Sequence, residues 1–114
     1  MQDLANSLKV LNTIVPVTGS SDTNGTGIDL QGFEGAMIVV PTGVEGDTLS
    51  STVKIDFILE ESSDDSTYTA VTSNTSVTDG AVDSSGIFST LDANAETPQI
   101  STIGYVGGSR YIRV

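Results

Sequence analysis

The stretch VKIDFILE (residues 53–60) carries the clearest strand signal in this 114-residue chain. Apolar residues occupy every second position from Val53 to Leu59, and alternate side chains of a strand point to opposite faces of its sheet. We therefore expect the Val53–Leu59 face to lie in the core. The polar stretch ESSDDS (61–66) follows, and TYTAV (67–71) resumes the β pattern, so residues 53–71 are predicted to form a hairpin.

Working outward, further strands are predicted on both sides of this hairpin. AMIVV (36–40) is nearly continuous in apolar residues and ends at Pro41, which is typical of a central, buried strand. Residues 100–106 and 110–114 flank a Gly-Gly-Ser turn and predict a second hairpin. Near the start we expect a short N-terminal arm at residues 1–7, followed by a strand at about 8–17.

Two polar segments are predicted to be long loops. TGSSDTNGTG (18–27) offers nothing to bury, and residues 72–98 are weakly patterned, with room for one or two short strands. Ser and Thr supply 30 residues, and Val, Ile and Thr supply 36, a composition that favours strands. We predict one all-β domain over residues 1–114, an antiparallel β-sandwich of jelly-roll or immunoglobulin-like type.

The residue types present argue against catalysis. The chain has no Cys and no His, so it lacks thiolate nucleophiles, imidazole bases and the ligands of most transition-metal sites. A serine or threonine nucleophile would need a base, and without histidine the only candidates are Lys9 and Lys54. We expect no enzyme activity, no cofactor and no metal, although the acidic turn at 60–65 could attract a calcium ion; a solvated turn is the favoured interpretation.

The charge balance restricts the partners. Fifteen acidic residues face four basic ones, a net charge of −11, which would repel a nucleic-acid backbone. We therefore expect no direct nucleic-acid binding. The longest apolar runs are too short to span a bilayer, so we expect no membrane insertion either.

The candidate interface residues lie near the two ends of the chain. Arginine and aromatic side chains are enriched in interfaces, although they also make contacts within folds. Arg110 shares a strand face with apolar residues and must reach the rim, pair with Asp29 or Asp56, or contact another subunit. The residues predicted as interface candidates are Leu4, Leu8, Tyr105, Arg110, Tyr111 and Arg113.

Three motifs resemble a family of small tailed-bacteriophage virion proteins. They are IDLQGFE (28–34), FILEESSDD (57–65) and IGYVGGSRYIRV (103–114), in matching order and spacing. The resemblance implies a capsid decoration, or cement, protein on the outer surface of the virion, with the major capsid protein as its partner. We expect such a protein to bind as a dimer or trimer at a symmetry axis of the shell. Family members usually continue past the arginine-rich strand. This chain is therefore either a short variant, or its closing strand pairs with another subunit.

Two other functions remain open at this point. β-Sandwich proteins also form rings in phage necks and tails, and ring stoichiometry would separate that role from decoration. A carbohydrate-binding module could use the same fold, but the long loops contain almost no aromatic platform for a sugar.

Overall fold

The computed structural model describes residues 3–114 and is built almost wholly of antiparallel strands. A single helical turn, α1 (Leu4–Ser7), precedes them, and short 3-10 turns cover Asn74–Ser76 and Asn94–Glu96. The strands are β1 (Ile28–Asp29), β2 (Ala36–Thr42), β3 (Ile55–Ile58), β4 (Glu60–Ser62), β5 (Thr69–Ala70), β6 (Val77–Thr78), β7 (Ile87–Leu91), β8 (Gln99–Tyr105) and β9 (Tyr111–Arg113).

These strands form three sheets with a nested connectivity. The sheet orders are β1-β9-β4-β5, β2-β8-β6 and β3-β7, and every pair is antiparallel. The first strand pairs with the last, the second with the eighth and the third with the seventh. Each of the three sheets therefore contains strands from both the first and the second half of the chain. This nested pairing is closer to a jelly roll than to the strand order of an immunoglobulin domain. The predicted all-β antiparallel fold is confirmed.

The core lies between the four-stranded and the three-stranded sheets. Ile112 of the first sheet and Ile103 and Tyr105 of the second lie in one buried cluster. Leu59, just before β4, and Val71, just after β5, belong to the same cluster. Each sheet therefore buries one face against the other, as in a two-layer sandwich.

The predicted hairpin at 53–71 is correct only in its second half. β4 pairs with β5, but β3 pairs with β7, and the register shifts between Phe57 and Ile58. Leu59 lies between the two strands; its N–H donates to Gly86 O (2.9 Å) and its carbonyl accepts from Val71 N–H (2.9 Å). The irregularity lets the chain leave one sheet and enter another, so only Leu59 of the predicted core face is fully buried, while Val53 and Ile55 are exposed.

Strand β2 was predicted to be central, but it is an edge strand. β8 pairs with it along its whole length, and within residues 3–114 no strand pairs with its other side. Its residues alternate between half-buried and exposed, with Met37 and Val39 pointing outward. An edge position also accommodates Pro41, which has no N–H to donate to a neighbouring strand.

The predicted hairpin of 100–106 and 110–114 is wrong in its pairing. β8 lies between β2 and β6, whereas β9 lies between β1 and β4. The Gly107–Ser109 turn therefore carries the chain from one layer to the other, because both strands find partners that are distant in sequence. Since β9 has a neighbour on each side, the idea that this strand is completed by another subunit is also wrong.

The predicted strand at 8–17 is absent, and these residues are irregular and largely exposed. We call residues 4–17 the arm. The two predicted loops are confirmed: residues 18–27 are exposed apart from Gly25 and the half-buried Gly27, and residues 72–98 contain β6 and β7 between irregular segments. Gly25 is packed tightly, since a Cβ there would lie 2.9 Å from Val114 O.

Candidate interaction surface

Arg110 joins the first and third motifs through an internal ion pair. Its Nε donates to Asp29 Oδ1 (2.9 Å) and its Nη2 to Asp29 Oδ2 (2.8 Å), a bidentate geometry. Leu30 N–H also donates to Arg110 O (2.7 Å). The guanidinium bonds lower the pKa of Asp29 to about 2. Of the two predicted partners, Asp29 is confirmed; Asp56 instead accepts from Thr90 (2.6 Å).

Arg113 joins the second and third motifs in the same way. Its Nε donates to Glu60 Oε2 (2.5 Å), and its guanidinium lies 4.1 Å from the centre of the Tyr68 ring. Tyr68 donates its hydroxyl to Asp65, and burial together with this bond raises the pKa of Tyr68 to about 12. Arg113 is therefore largely occupied within its own chain.

Tyr105 lies in the core, which corrects the prediction that it belongs to an interface. It is 0% exposed. Its hydroxyl donates to a Glu61 carboxylate oxygen and accepts from Ser109 N–H (3.1 Å). Burial and the Glu61 bond raise the pKa of Tyr105. The side chain fixes the turn between β8 and β9 from inside the fold, because its ring is buried and both hydrogen-bonding functions of its hydroxyl are used.

The acidic turn at 60–65 is held together by its own side chains. Asp64 Oδ1 accepts from Ser66 N–H and Thr67 N–H (both 2.9 Å), and these bonds lower the pKa of Asp64. Ser62 Oγ accepts from the N–H groups of Asp64 (3.2 Å) and Asp65 (3.1 Å). Each acidic side chain of the turn thus has a different partner, and in residues 3–114 no three potential ligands converge on one point.

Of the predicted interface residues, Leu4 and Leu8 remain accessible on the arm. Leu8 is 63% exposed, and Val10 nearby is 91% exposed. The root of the arm is attached where Thr26 N–H donates to Thr13 O (3.1 Å). Tyr111 is half-buried, with the Arg110 guanidinium 5.2 Å from its ring centre.

The arm forms one wall of a groove of about 880 Å³. Its other walls are residues 28–39 and the chain end at 112–114. The groove therefore runs between the free edges of β1 and β2, the strands that end the four-stranded and three-stranded sheets on this side. An open sheet edge beside apolar side chains is a surface that another strand can join.

A second apolar surface was missed at the sequence level. We call Met37, Val39, Pro41 and Ile100 the outer face, because they lie on the side of the β2-β8-β6 sheet that points away from the core. Pro41 is directly opposite Ile100, which is 67% exposed. The available signal is the run of apolar residues at 36–40, which places apolar side chains on both faces of β2. Such a run is typical of a strand buried on both faces, but here one face is exposed.

The remaining surface offers little recognisable chemistry. Phe33 is the only exposed aromatic residue in the described part of the chain. A smaller depression of about 320 Å³ lies between residues 30–34 and 107–110 and has a mixed polar and apolar lining. Among residues 3–114, no helix has the length and apolar character needed to cross a membrane.

Comparison with known proteins adds no relative. No protein-family model matches the chain, and neither a curated protein nor a solved structure matches it. Residues 3–114 form an acidic, all-β domain with two adjoining apolar surfaces that share Met37 and Val39, and no strand of the described chain covers either of them.

Proposed function

We propose that this chain is a non-enzymatic virion protein that binds the outside of an assembled phage capsid and stabilises it, with the major capsid protein as its partner. The observation that carries the proposal is the outer face, an apolar patch on a molecule whose net charge is −11. Apolar patches of this kind, bordered by polar residues, are typical of protein–protein contact sites.

The position of the outer face favours contact with a large, flat partner. Its residues belong to β2 and β8, which are paired along seven consecutive positions and give a rigid surface. Thr102 lies opposite Val39 and places a hydroxyl within the patch. Such a surface needs little ordering on binding, which lowers the entropic cost of association.

The charge distribution favours the outside of the shell over the inside. Packaged DNA would repel a domain with 15 acidic and four basic residues, whereas the exterior faces solvent and counterions. A protein that binds only the assembled, expanded shell stabilises that state by mass action. This mechanism requires no catalytic residue.

The test is co-sedimentation of the purified protein with expanded shells that lack it, with bound copies counted by quantitative gel. We expect saturable binding at hundreds of copies per shell. Ile100→Asp should weaken binding at least tenfold, because a carboxylate in an apolar contact loses its hydration without a partner. Val44→Asp is the matched control: Val44 is 75% exposed but lies outside both apolar surfaces.

The stoichiometry also tests the alternatives. A dozen or fewer copies per virion would replace decoration with a neck or tail ring. No binding to shells or virions would overturn the proposal and return the question to a free-standing module, such as one that binds carbohydrate.

A further inference from the structure

We propose that the groove beside β2 receives the arm of a second copy of this chain, which adds a strand to the free edge of β2, and that the two copies exchange arms reciprocally. This inference concerns the free protein and does not rest on capsid binding. It assigns the groove and the arm to self-association. Of the outer face, Met37 and Val39 also line the groove, whereas Pro41 and Ile100 lie outside it and are left for a different partner.

The groove has the features of a site for an added strand. Ile28 and Leu30 approach it from the β1 side, and Ala36 and Ile38 approach it from the β2 side; all four are only partly buried and pack against the core cluster. Within the described residues, the outer edge of β2 has no strand beside it. A strand placed here would pair the open backbone groups of β2 and cover the partly buried apolar side chains.

The arm has the matching sequence. Leu8, Val10, Leu11 and Val15 are strand-compatible apolar residues, and all are exposed in the single chain. Eight residues from 8 to 15 would span about 26 Å as a strand, whereas the pairable part of β2 before Pro41 spans about 17 Å. The arm is thus long enough to cover that edge.

Charge favours the arm over any other part of a second copy. Between Asp3 and Asp22 the only charged residue is Lys9, whereas residues 22–114 contain 14 acidic and three basic side chains. Glu34 and Asp29 line the groove. Two acidic bodies repel each other, so the arm is the segment that can approach a second copy's groove with favourable electrostatics.

The attachment of the arm explains why a second copy is needed. The Thr13 carbonyl is bonded to Thr26 N–H, and Gly25 N–H donates to Val114 O (2.6 Å), so the root of the arm is fixed beside the chain end. From there residues 7–11 only form a wall of the groove, and in the described structure none of them hydrogen-bonds to β2. A reciprocal exchange would fill both grooves and close the assembly as a symmetric dimer.

Cross-linking between single-cysteine variants tests this arrangement, because the natural chain contains no cysteine. Val10→Cys and Val39→Cys chains are prepared separately, mixed, and treated with a short bismaleimide. We expect a covalent dimer from the mixture, and little from Val10→Cys mixed with Val44→Cys. Cross-linking that occurs only within a chain carrying both Val10→Cys and Val39→Cys would show that each arm occupies its own groove, and would overturn the proposal.

Analytical ultracentrifugation of the full chain supplies a second measurement. The natural protein should sediment as a dimer, and Val44→Asp should behave identically. The dimer dissociation constant of Val10→Asp should be at least ten times higher. Val10 is exposed in the single chain, so this substitution leaves the fold intact. A natural protein that stays monomeric at high concentration, or a Val10→Asp variant that dimerises normally, contradicts arm exchange; neither result depends on whether shells are bound.

Discussion

The closing strand β9 and the arm carry similar strand-like sequences but have opposite fates. β9 lies between β1 and β4. Arg110, just before β9, binds Asp29 of β1, and Arg113 in β9 binds Glu60 of β4. The arm alternates apolar residues equally well, yet in the described structure it has no strand partner and Val10 is 91% exposed.

The difference shows what holds a short strand in place. β9 has three residues and a two-residue neighbour in β1, too few for hydrogen bonds alone to secure it. The burial of Ile112 and the hydrogen bonds made by Arg110 and Arg113 supply the rest of the stabilisation that β9 needs. The arm contains neither an arginine nor an acidic residue from Leu4 to Val17, so it cannot form the arginine–carboxylate pairs that hold β9 in place.

The largest effect that separates the two regions should come from leucine truncation. Leu59, which is fully buried where β3 passes into β4, should lose about 2–5 kcal/mol of unfolding free energy on Leu59→Ala. Leu8→Ala on the arm should change it by less than about 0.5 kcal/mol at concentrations where the chain is monomeric. Urea unfolding measures both values, and similar losses would show that the arm belongs to the core.

A smaller effect is expected from the hydroxyl that secures the turn before β9. Tyr105→Phe should cost about 1–3 kcal/mol, because it leaves Glu61 and Ser109 N–H without their partner inside the fold. Tyr111→Phe is the control, since the Tyr111 hydroxyl makes no hydrogen bond to another residue of the described chain. Equal stability of the two variants in urea unfolding would contradict this account of the turn.

The smallest effect should be the pH dependence of the Asp29–Arg110 pair. The pKa of Asp29 is about 2 in the folded chain, against an ordinary value of 3.8, so the folded state holds this carboxylate ionised more strongly. Its contribution is fully present above pH 3.8 and is lost as the pH falls through about 2. Since the side chains of Arg110 and Asp29 are 46% and 43% exposed, solvent screening keeps the effect small.

Thermal unfolding between pH 4 and pH 2 tests this prediction. The natural chain should lose stability as the pH falls, and Asp29→Asn should show a shallower decline. Asp22→Asn, in the exposed 18–27 loop, should follow the natural chain. If the stability of Asp29→Asn falls with pH as steeply as that of the natural chain, the Asp29–Arg110 pair does not link β1 to β9 in the way described.

Much of the local structure could be predicted from short-range patterns. The strands β2, β8 and β9, the turn at 60–65 and the two long loops follow from alternation and turn residues. The Asp29–Arg110 pair was one of two predicted pairings, because an arginine on an apolar face requires a carboxylate. Leu4 lies on the predicted N-terminal arm and is exposed, and Leu8, which was predicted to begin a strand, is exposed on the same irregular segment.

Most of the errors concern which strands are neighbours; the exception is the strand predicted at 8–17, where the structure has none. Residues 100–114 look like a hairpin, yet their two strands belong to different sheets, and the pair that joins β9 to β1 links residues 81 positions apart. β2 looked central because both of its faces are apolar, and Tyr105 looked like an interface residue because of its type. The local sequence decides neither the position of β2 in its sheet nor the burial of Tyr105.

The sequence by itself determined the antiparallel all-β class, the acidic surface and the places where the chain turns, because these depend on residue type and on spacing within a few positions. The tertiary structure alone decided that Tyr105 is buried, that Arg113 contacts Glu60, and that β2 has a free edge beside the arm. These features depend on which distant strands meet, and strand alternation is the same whichever partner a strand finds.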